Sequence, residues 1–330
     1  MKRIISYISI CSIAILSALL TSSCTKELTG SLPDYGTSTV VDGNIENGKP
    51  PIILLTRSTR VFGDLNVNDL GAFFIHGATV SMTVDSNPTP IPLEELCIQN
   101  LALNDTQKNQ LLFSLGITAY DSSTVPNVCA YTLPIAELAA YFNTGSCPHC
   151  GTVGHTYNLT IKNHGKTYTA STTIPVLASI NSFSFRPDPK SDTLVSILAN
   201  ITVPPTYGNF IRYWTKRNYE PFYTPYTGSV YDDKFFSGQT LNLPLDRGIP
   251  GYIANPDFNT LGYFWKGDTV VLKWAKIDSK TFDFFYTLEN DGGSSPLSSP
   301  VRVKSNIVGD SVVGVWAGYS ATYYTIAVPK

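Results

Sequence analysis

Charge is scarce in this sequence, and histidine scarcer. Charged residues fill 15 % of the 330 positions, where roughly 25 % is ordinary. The 23 Lys+Arg against 25 Asp+Glu leave a formal net charge of −2. No cationic excess exists to displace counterions from a phosphate backbone, so no nucleic-acid partner is expected. Only four histidines occur, and no HExxH, GxSxG, P-loop or GxGxxG pattern is present. The usual metallohydrolase, esterase, nucleotide and dinucleotide chemistries therefore have no anchor, and neither a cofactor nor a catalytic residue is assigned. Heptads, short repeats and low-complexity tracts are also missing. The longest apolar run, Ile4–Leu20, contains Ser6, Ser9, Ser12 and Ser17, and falls short of the roughly 20 strongly apolar residues of a stable membrane span.

What is abundant points to strands and turns. Hydrophobic residues reach 43 % and aromatics 12 %, with 19 Tyr, 16 Phe, 24 Gly and 22 Pro. That is enough apolar material for a substantial core, and it argues against disorder.

The N-terminus carries an address. Lys2 and Arg3 precede the apolar run, which ends in Leu20-Thr21-Ser22-Ser23-Cys24. This pattern resembles a bacterial lipobox, so residues 1–23 read as a signal peptide and Cys24 as the lipidated residue. Several acyl chains on Cys24 would anchor the protein firmly to a membrane, since each buried methylene adds about 0.8 kcal/mol. Residues 24–36, mixing charge, Gly and Pro, read as a tether.

From Thr37 the pattern alternates with period two. In YNLTIK (157–162), Tyr157, Leu159 and Ile161 share one face against Asn158, Thr160 and Lys162. The Asn163-His164-Gly165 junction suits a hairpin turn with positive φ. Residues 37–176 are expected to form one β-sandwich, interrupted over 94–150 by a helical, cysteine-bearing insertion. Within it, Asp105–Leu115 has Asp placed to cap and Gly116 to terminate; 134–142 starts with Pro at the first helical position and is closed by Gly145. Residues 177–330 hold seven further strand-like runs and are expected to form a second sandwich. One short helix there, TFDFFYTLE, has Ser279 as its expected cap. The fold class is thus all-β, two Ig- or fibronectin-like sandwiches.

The order of VVDGNI (40–45), GATVSMTVD (77–85), GHTYNLTI (154–161), YDDKFFSGQ (231–239), KGDTVVLKWAKID (266–278) and SNIVGDSVVGVWAGY (305–319) behind a lipobox resembles a Bacteroidota lipoprotein family known as domain of unknown function 4249. The resemblance covers 37–93 and 150–328. It implies a two-part β-rich lipoprotein of the outer membrane, commonly encoded beside a TonB-dependent receptor, with no assigned chemistry. Lys26-Glu27 beside Cys24 resembles a surface-export signal of such lipoproteins, so the protein is expected to face the cell surface.

Beyond Cys11 and Cys24, four cysteines remain: Cys97, Cys129, Cys147 and Cys150. In an exported chain an even set favours disulfides, and three pairings are open. Two other readings were weighed. Cys147-Pro148-His149-Cys150 has the spacing of a thioredoxin-like dithiol but follows a helix and lacks a βαβ setting. A zinc site could use the four thiolates, or three with His149 or His155. Asp232-Asp233 is the best carboxylate pair, a solvated turn or part of a calcium site, although adjacent residues on a strand face opposite ways. Residues 207–236 hold eleven aromatics. Of these, Tyr219, Phe222, Tyr223 and Tyr226 follow no alternation and form, with Asp232 and Asp233, a candidate interaction surface. The expected function is a lipid-anchored accessory or binding protein of a TonB-dependent receptor in nutrient uptake. A free-standing adhesive or structural module is the alternative, and a carboxylate- or thiol-based enzyme a minor one.

Overall fold

A computed structural model describes residues 37–58, 71–114, 126–176, 178–251, 256–290 and 302–330. The expected signal, lipidated Cys24 and tether lie outside these residues, as do Leu115 and Gly116.

Short strands dominate, as the alternation requires. The first half contains β1 (Thr39–Glu46), β2 (Ile52–Arg57), β3 (Thr79–Val84), β4 (Ile91–Cys97), α1 (Asp105–Ser114), β5 (Cys129–Thr132), α2 (Ile135–Thr144), β6 (Thr156–Asn163) and β7 (Lys166–Thr173). The second contains β8 (Ser182–Pro187), β9 (Leu194–Thr202), β10 (Phe210–Arg217), β11 (Val230–Tyr231), β12 (Thr240–Leu245), β13 (Phe264–Trp265), β14 (Thr269–Ile277), α3 (Ser279–Asn290) and β15 (Val312–Ala327). The fold is all-β and sandwich-like.

Among the described residues one large sheet runs β11-β10-β14-β15-β1-β2-β5-β4-β3-β6-β7, and β8, β9, β12 and β13 form a smaller one. The first-half core lies between strands of the same sheet. Val41, Ile45, Ile53, Leu55 and Tyr131 from β1, β2 and β5 pack with Val80, Met82, Leu159, Ile161 and Tyr168 from β3, β6 and β7. The large sheet therefore curls over itself. In the second half the small sheet packs on β10, β14 and the end of β15, joining Val195, Ile197 and Ala199 to Tyr213, Leu272, Trp274 and Ile326. The opposite face of these strands is covered by α3, through Phe282 and Phe285.

β15 is the spine. It pairs antiparallel with β14 and parallel with β1, so one strand serves both halves. Its even residues pass from the first core, where Trp316 is fully buried, to the second, where Tyr324 and Ile326 pack. Two of the seven strand-like runs expected in the second half, 311–316 and 322–328, belong to this one strand. The small residues Ala317, Gly318, Ser320 and Ala321 around Tyr319 hid its middle, and the reason is close approach: a Cβ on Gly318 would stand 2.7 Å from the Thr173 carbonyl oxygen of β7.

Two strands lie inside the segment expected to be a helical insertion. β4 and β5 pair with each other and connect β3 to β2. Pro92 and the paired acids Glu94-Glu95 concealed β4, because proline removes a ladder donor and charge dilutes the apolar alternation. The β6–β7 hairpin closes as expected, with Asn163 opposite Lys166 and positive φ at His164 (46°) and Gly165 (76°), a two-residue type I′ turn.

The helix caps differ from the expected ones by one residue. Asn104, not Asp105, caps α1: its Oδ1 accepts from Gln107 N at 2.9 Å while Gln107 Oε1 accepts from Asn104 N at 3.0 Å, a reciprocal capping box. Pro134 is the cap of α2 rather than its first helical residue, and Gly145 ends it in the left-handed region at φ 75°. Asp278, not Ser279, caps α3 by accepting from Thr281 N at 2.8 Å. Its second oxygen accepts from Thr172 Oγ1 at 2.6 Å and Thr173 N at 3.1 Å, tying α3 to β7. A carboxylate serves there because it can accept on both sides at once.

Candidate functional site

The alternation of β14 sends Val270, Leu272 and Trp274 into the space beneath the small sheet, and Lys273 to the other face. There the two sheets part and leave a cavity of about 120 Å³. Its walls are Ile201, Leu241 and Leu243 from the small sheet and Ile211, Tyr231 and Trp274 from the large one. Asn209, Asp232, Asp233 and Phe236 line it from the connecting loops.

The strand walls are largely apolar, and one of their residues carries a buried polar anomaly. Trp274 is 2 % exposed, and its Nε1 has no hydrogen-bond partner among the described residues. A buried donor left unpaired costs about 1–3 kcal/mol. The indole stacks on Tyr213 at 6.0 Å, which stacks on Tyr231 at 5.7 Å. Burial raises the pKa of both phenols, in Tyr213 strongly and with the help of Tyr231 and Asp246. Both therefore stay neutral at ordinary pH and offer hydrogen bonds rather than a base.

Asp233 shapes the mouth. It is buried and accepts from Gly208 N at 3.0 Å, Asn209 N at 3.2 Å and Asn209 Nδ2 at 2.6 Å. Burial pushes its pKa up, but the donors from Asn209 and Gly208 outweigh that and hold it below the usual carboxylate value. Its oxygens are thus committed to bracing the loop ahead of β10. Asp232 is half-buried, and its Oδ1 accepts from Lys234 N at 3.4 Å. Exposed Phe235 and Phe236 follow directly.

Of the six residues singled out as an interaction surface, only Asp232 and Asp233 line the cavity. Tyr219 is 93 % exposed. Phe222 packs edge-on to Tyr323, and Tyr223 exchanges both backbone hydrogen bonds with Thr215, each 3.0 Å. Tyr226 meets Phe258 edge-on. Trp274, Ile211, Leu241 and Leu243 were legible as strand residues, but a space between sheets has no signature in either strand alone.

The four cysteines form two disulfides, Cys97–Cys129 and Cys147–Cys150. The first joins facing residues of β4 and β5 and closes a 32-residue separation, worth about 3–4 kcal/mol in the chain-entropy picture. The second closes a turn just beyond the C-terminal end of α2, where the helix dipole disfavours a thiolate. His149 Nδ1 lies 2.9 Å from Glu137 Oε2 and His155 Nδ1 2.6 Å from Asp85 Oδ2. Neither histidine joins a cluster of sulfur ligands.

On the far face of β14, Lys273 Nζ lies 2.6 Å from Glu46 Oε2, and Lys49 Nζ lies 2.7 Å from Glu46 Oε1. Tyr323 OH donates to Glu46 at 2.7 Å. Burial would raise the Glu46 pKa, but the two ammonium groups bring it below the ordinary value; burial lowers that of Lys273 despite Glu46. One carboxylate thus holds two ammonium groups and a phenol together, and the cluster reads as a brace between β1, β14 and β15.

A sequence profile for a domain of unknown function (DUF4249) matches residues 25–325. No curated protein matches the chain.

Proposed function

The chain belongs to this DUF4249 family, and from that premise we propose that it is a lipid-anchored binding protein of the outer membrane. Cys24 is its attachment point, and it works as the surface-facing accessory of a TonB-dependent receptor in nutrient uptake. The lipobox and the ordered family motifs support the anchoring and the partnership. The observation that carries the binding role is the inter-sheet cavity, apolar along its strand walls, with Asn209 and Asp232 on its loop side. Apolar cavities near 150 Å³ accommodate a benzene-sized ligand, so this space suits one ring or a short branched alkyl group. Exposed Phe235 and Phe236 beside the mouth present further apolar area to a larger cargo.

The test is a mild-detergent pull-down of C-terminally tagged protein from native outer membranes. Stoichiometric recovery of a TonB-dependent receptor is expected. Recovery of the lipidated protein alone would overturn the partnership and favour a free-standing adhesive module. Binding is tested separately by quenching of indole fluorescence with small aromatic carbonyl compounds. Saturable quenching that the cavity-filling Leu243→Phe abolishes is expected; quenching unchanged by filling the cavity would refute the site.

A further inference from the structure

A second constellation lies in the first half, away from that cavity. Residues two apart on a strand share a face, so β4 presents Glu95 and Cys97 together, and the register sets Tyr131 and Cys129 of β5 opposite them. The segment before β3 brings His76 to the same place. His76 Nδ1 contacts Glu95 Oε1, while Glu95 Oε2 accepts from Gly77 N at 2.9 Å and lies 3.4 Å from Tyr131 OH. One ligand atom from each of His76, Glu95, Cys97 and Cys129 falls within 4.8 Å of all the others. The two sulfurs are buried, the carboxylate is half-buried and the imidazole is at the surface.

Two sulfurs, one imidazole nitrogen and one carboxylate oxygen are a tetrahedral zinc donor set. A metal site needs such support for its ligands: the carboxylate is oriented by the Gly77 backbone N–H, while the Tyr131 phenol beside it gives its one proton to the nearer Ile75 carbonyl at 3.0 Å. The sulfurs cannot serve both roles. As a disulfide they have no charge to offer; as thiolates they are strong ligands.

We propose that Cys97 and Cys129 close the β4–β5 pair in either of two ways, by the disulfide when oxidised and by a zinc ion shared with His76 and Glu95 when reduced. A thiol reductant supplies the two electrons and two protons that convert the disulfide to two thiols, and is itself oxidised to a disulfide. Zinc then binds both sulfurs, releasing two protons to solvent. The imidazole enters neutral and the carboxylate ionised. Either closure holds together the two ends of the segment from 98 to 128 that carries α1, so the redox state selects the staple without opening the sheet.

The experiment titrates zinc, and cobalt as a spectroscopic substitute, into the full chain before and after reduction by a phosphine that binds neither metal strongly. One zinc per reduced chain and none per oxidised chain is expected, and the cobalt form should show thiolate charge-transfer bands of a two-sulfur tetrahedral site. His76→Ala and Glu95→Gln should each weaken zinc binding at least tenfold, while Cys147→Ser with Cys150→Ser leaves it unchanged. Circular dichroism accompanies each titration; if reduction alone loosens the fold, zinc should restore it. The proposal is overturned if the reduced chain binds no zinc, if its binding ignores His76 and Glu95, if it disappears with Cys147 and Cys150, or if zinc fails to restore a loosened fold.

Discussion

Trp274 and Glu46 illustrate two ways a buried polar group can stand in this protein. Trp274 keeps an indole N–H with no partner among the described residues. Trp274→Phe should therefore cost less stability than removal of an aromatic ring from a core, under about 2 kcal/mol, measured by denaturant unfolding. Glu46 is saturated instead, with two ammonium groups and a phenol around it. Because its folded pKa lies below the unfolded value of 4.5, the unfolded chain binds more protons as pH falls. The stabilisation is present above about pH 4.5 and is lost below it, as pH drops through the folded value. Denaturant midpoints measured from pH 6 to 3 should fall in wild type and fall less steeply in Glu46→Gln, which should already be weaker at pH 6. At the alkaline end, burial pushes the pKa of Tyr131 and Tyr319 up to about 12. Stability should then decline as pH rises past 10, where the unfolded phenols ionise first. Asp233→Ala, which strips the acceptor from three donors of Gly208 and Asn209, should cost about 2–3 kcal/mol and loosen the cavity mouth, seen as faster amide exchange at 208–209.

At the scale of elements, the strands whose apolar residues alternate cleanly were legible, and those shaped by neighbours were not. YNLTIK declares its faces because it buries one side against a single core, and DTVVLKWAKI because Val270, Leu272 and Trp274 alternate cleanly before α3 covers Ala275 and Ile277 on its other face. β4 hides behind a proline and two acids, one of which, Glu95, points to partners in β5 and in the segment before β3. β15 hides because its centre is small where β7 crosses it. Gly318→Ala should cost about 1–3 kcal/mol, the penalty of overpacking, and a larger side chain more; thermal unfolding against a control substitution at exposed Val308 would measure it. The caps of α1 and α3 lie one residue before Asp105 and Ser279 because an asparagine and an aspartate precede them, and only geometry says which oxygen reaches the second or third amide. The cavity illegible in the sequence is the same lesson one level up: its walls come from strands far apart in the chain, and nothing in either strand announces the other.

For the whole molecule, the shared β15 should make the two halves cooperate. Residues Thr37–Lys330 form one compact unit, and no break in the ladder separates the first core from the second. Scanning calorimetry should show one transition with matching calorimetric and van't Hoff enthalpies. Two resolved transitions would mean that β15 can leave one half while remaining in the other.

The parallel pairing of β1 with β15 also orders events in time. Thr39 takes Val312 as its neighbour and Glu46 takes Tyr319, so β1 waits for β15, which is synthesised about 270 residues later. Until then β1 has an open edge, and so does β14, both ready to pair with another chain. Contacts this distant in sequence also form slowly. A ribosome that stops early, or a protease that trims the C-terminus, therefore yields a product with two sticky edges rather than a shortened working protein. Docking of β15 is itself the step that closes both edges.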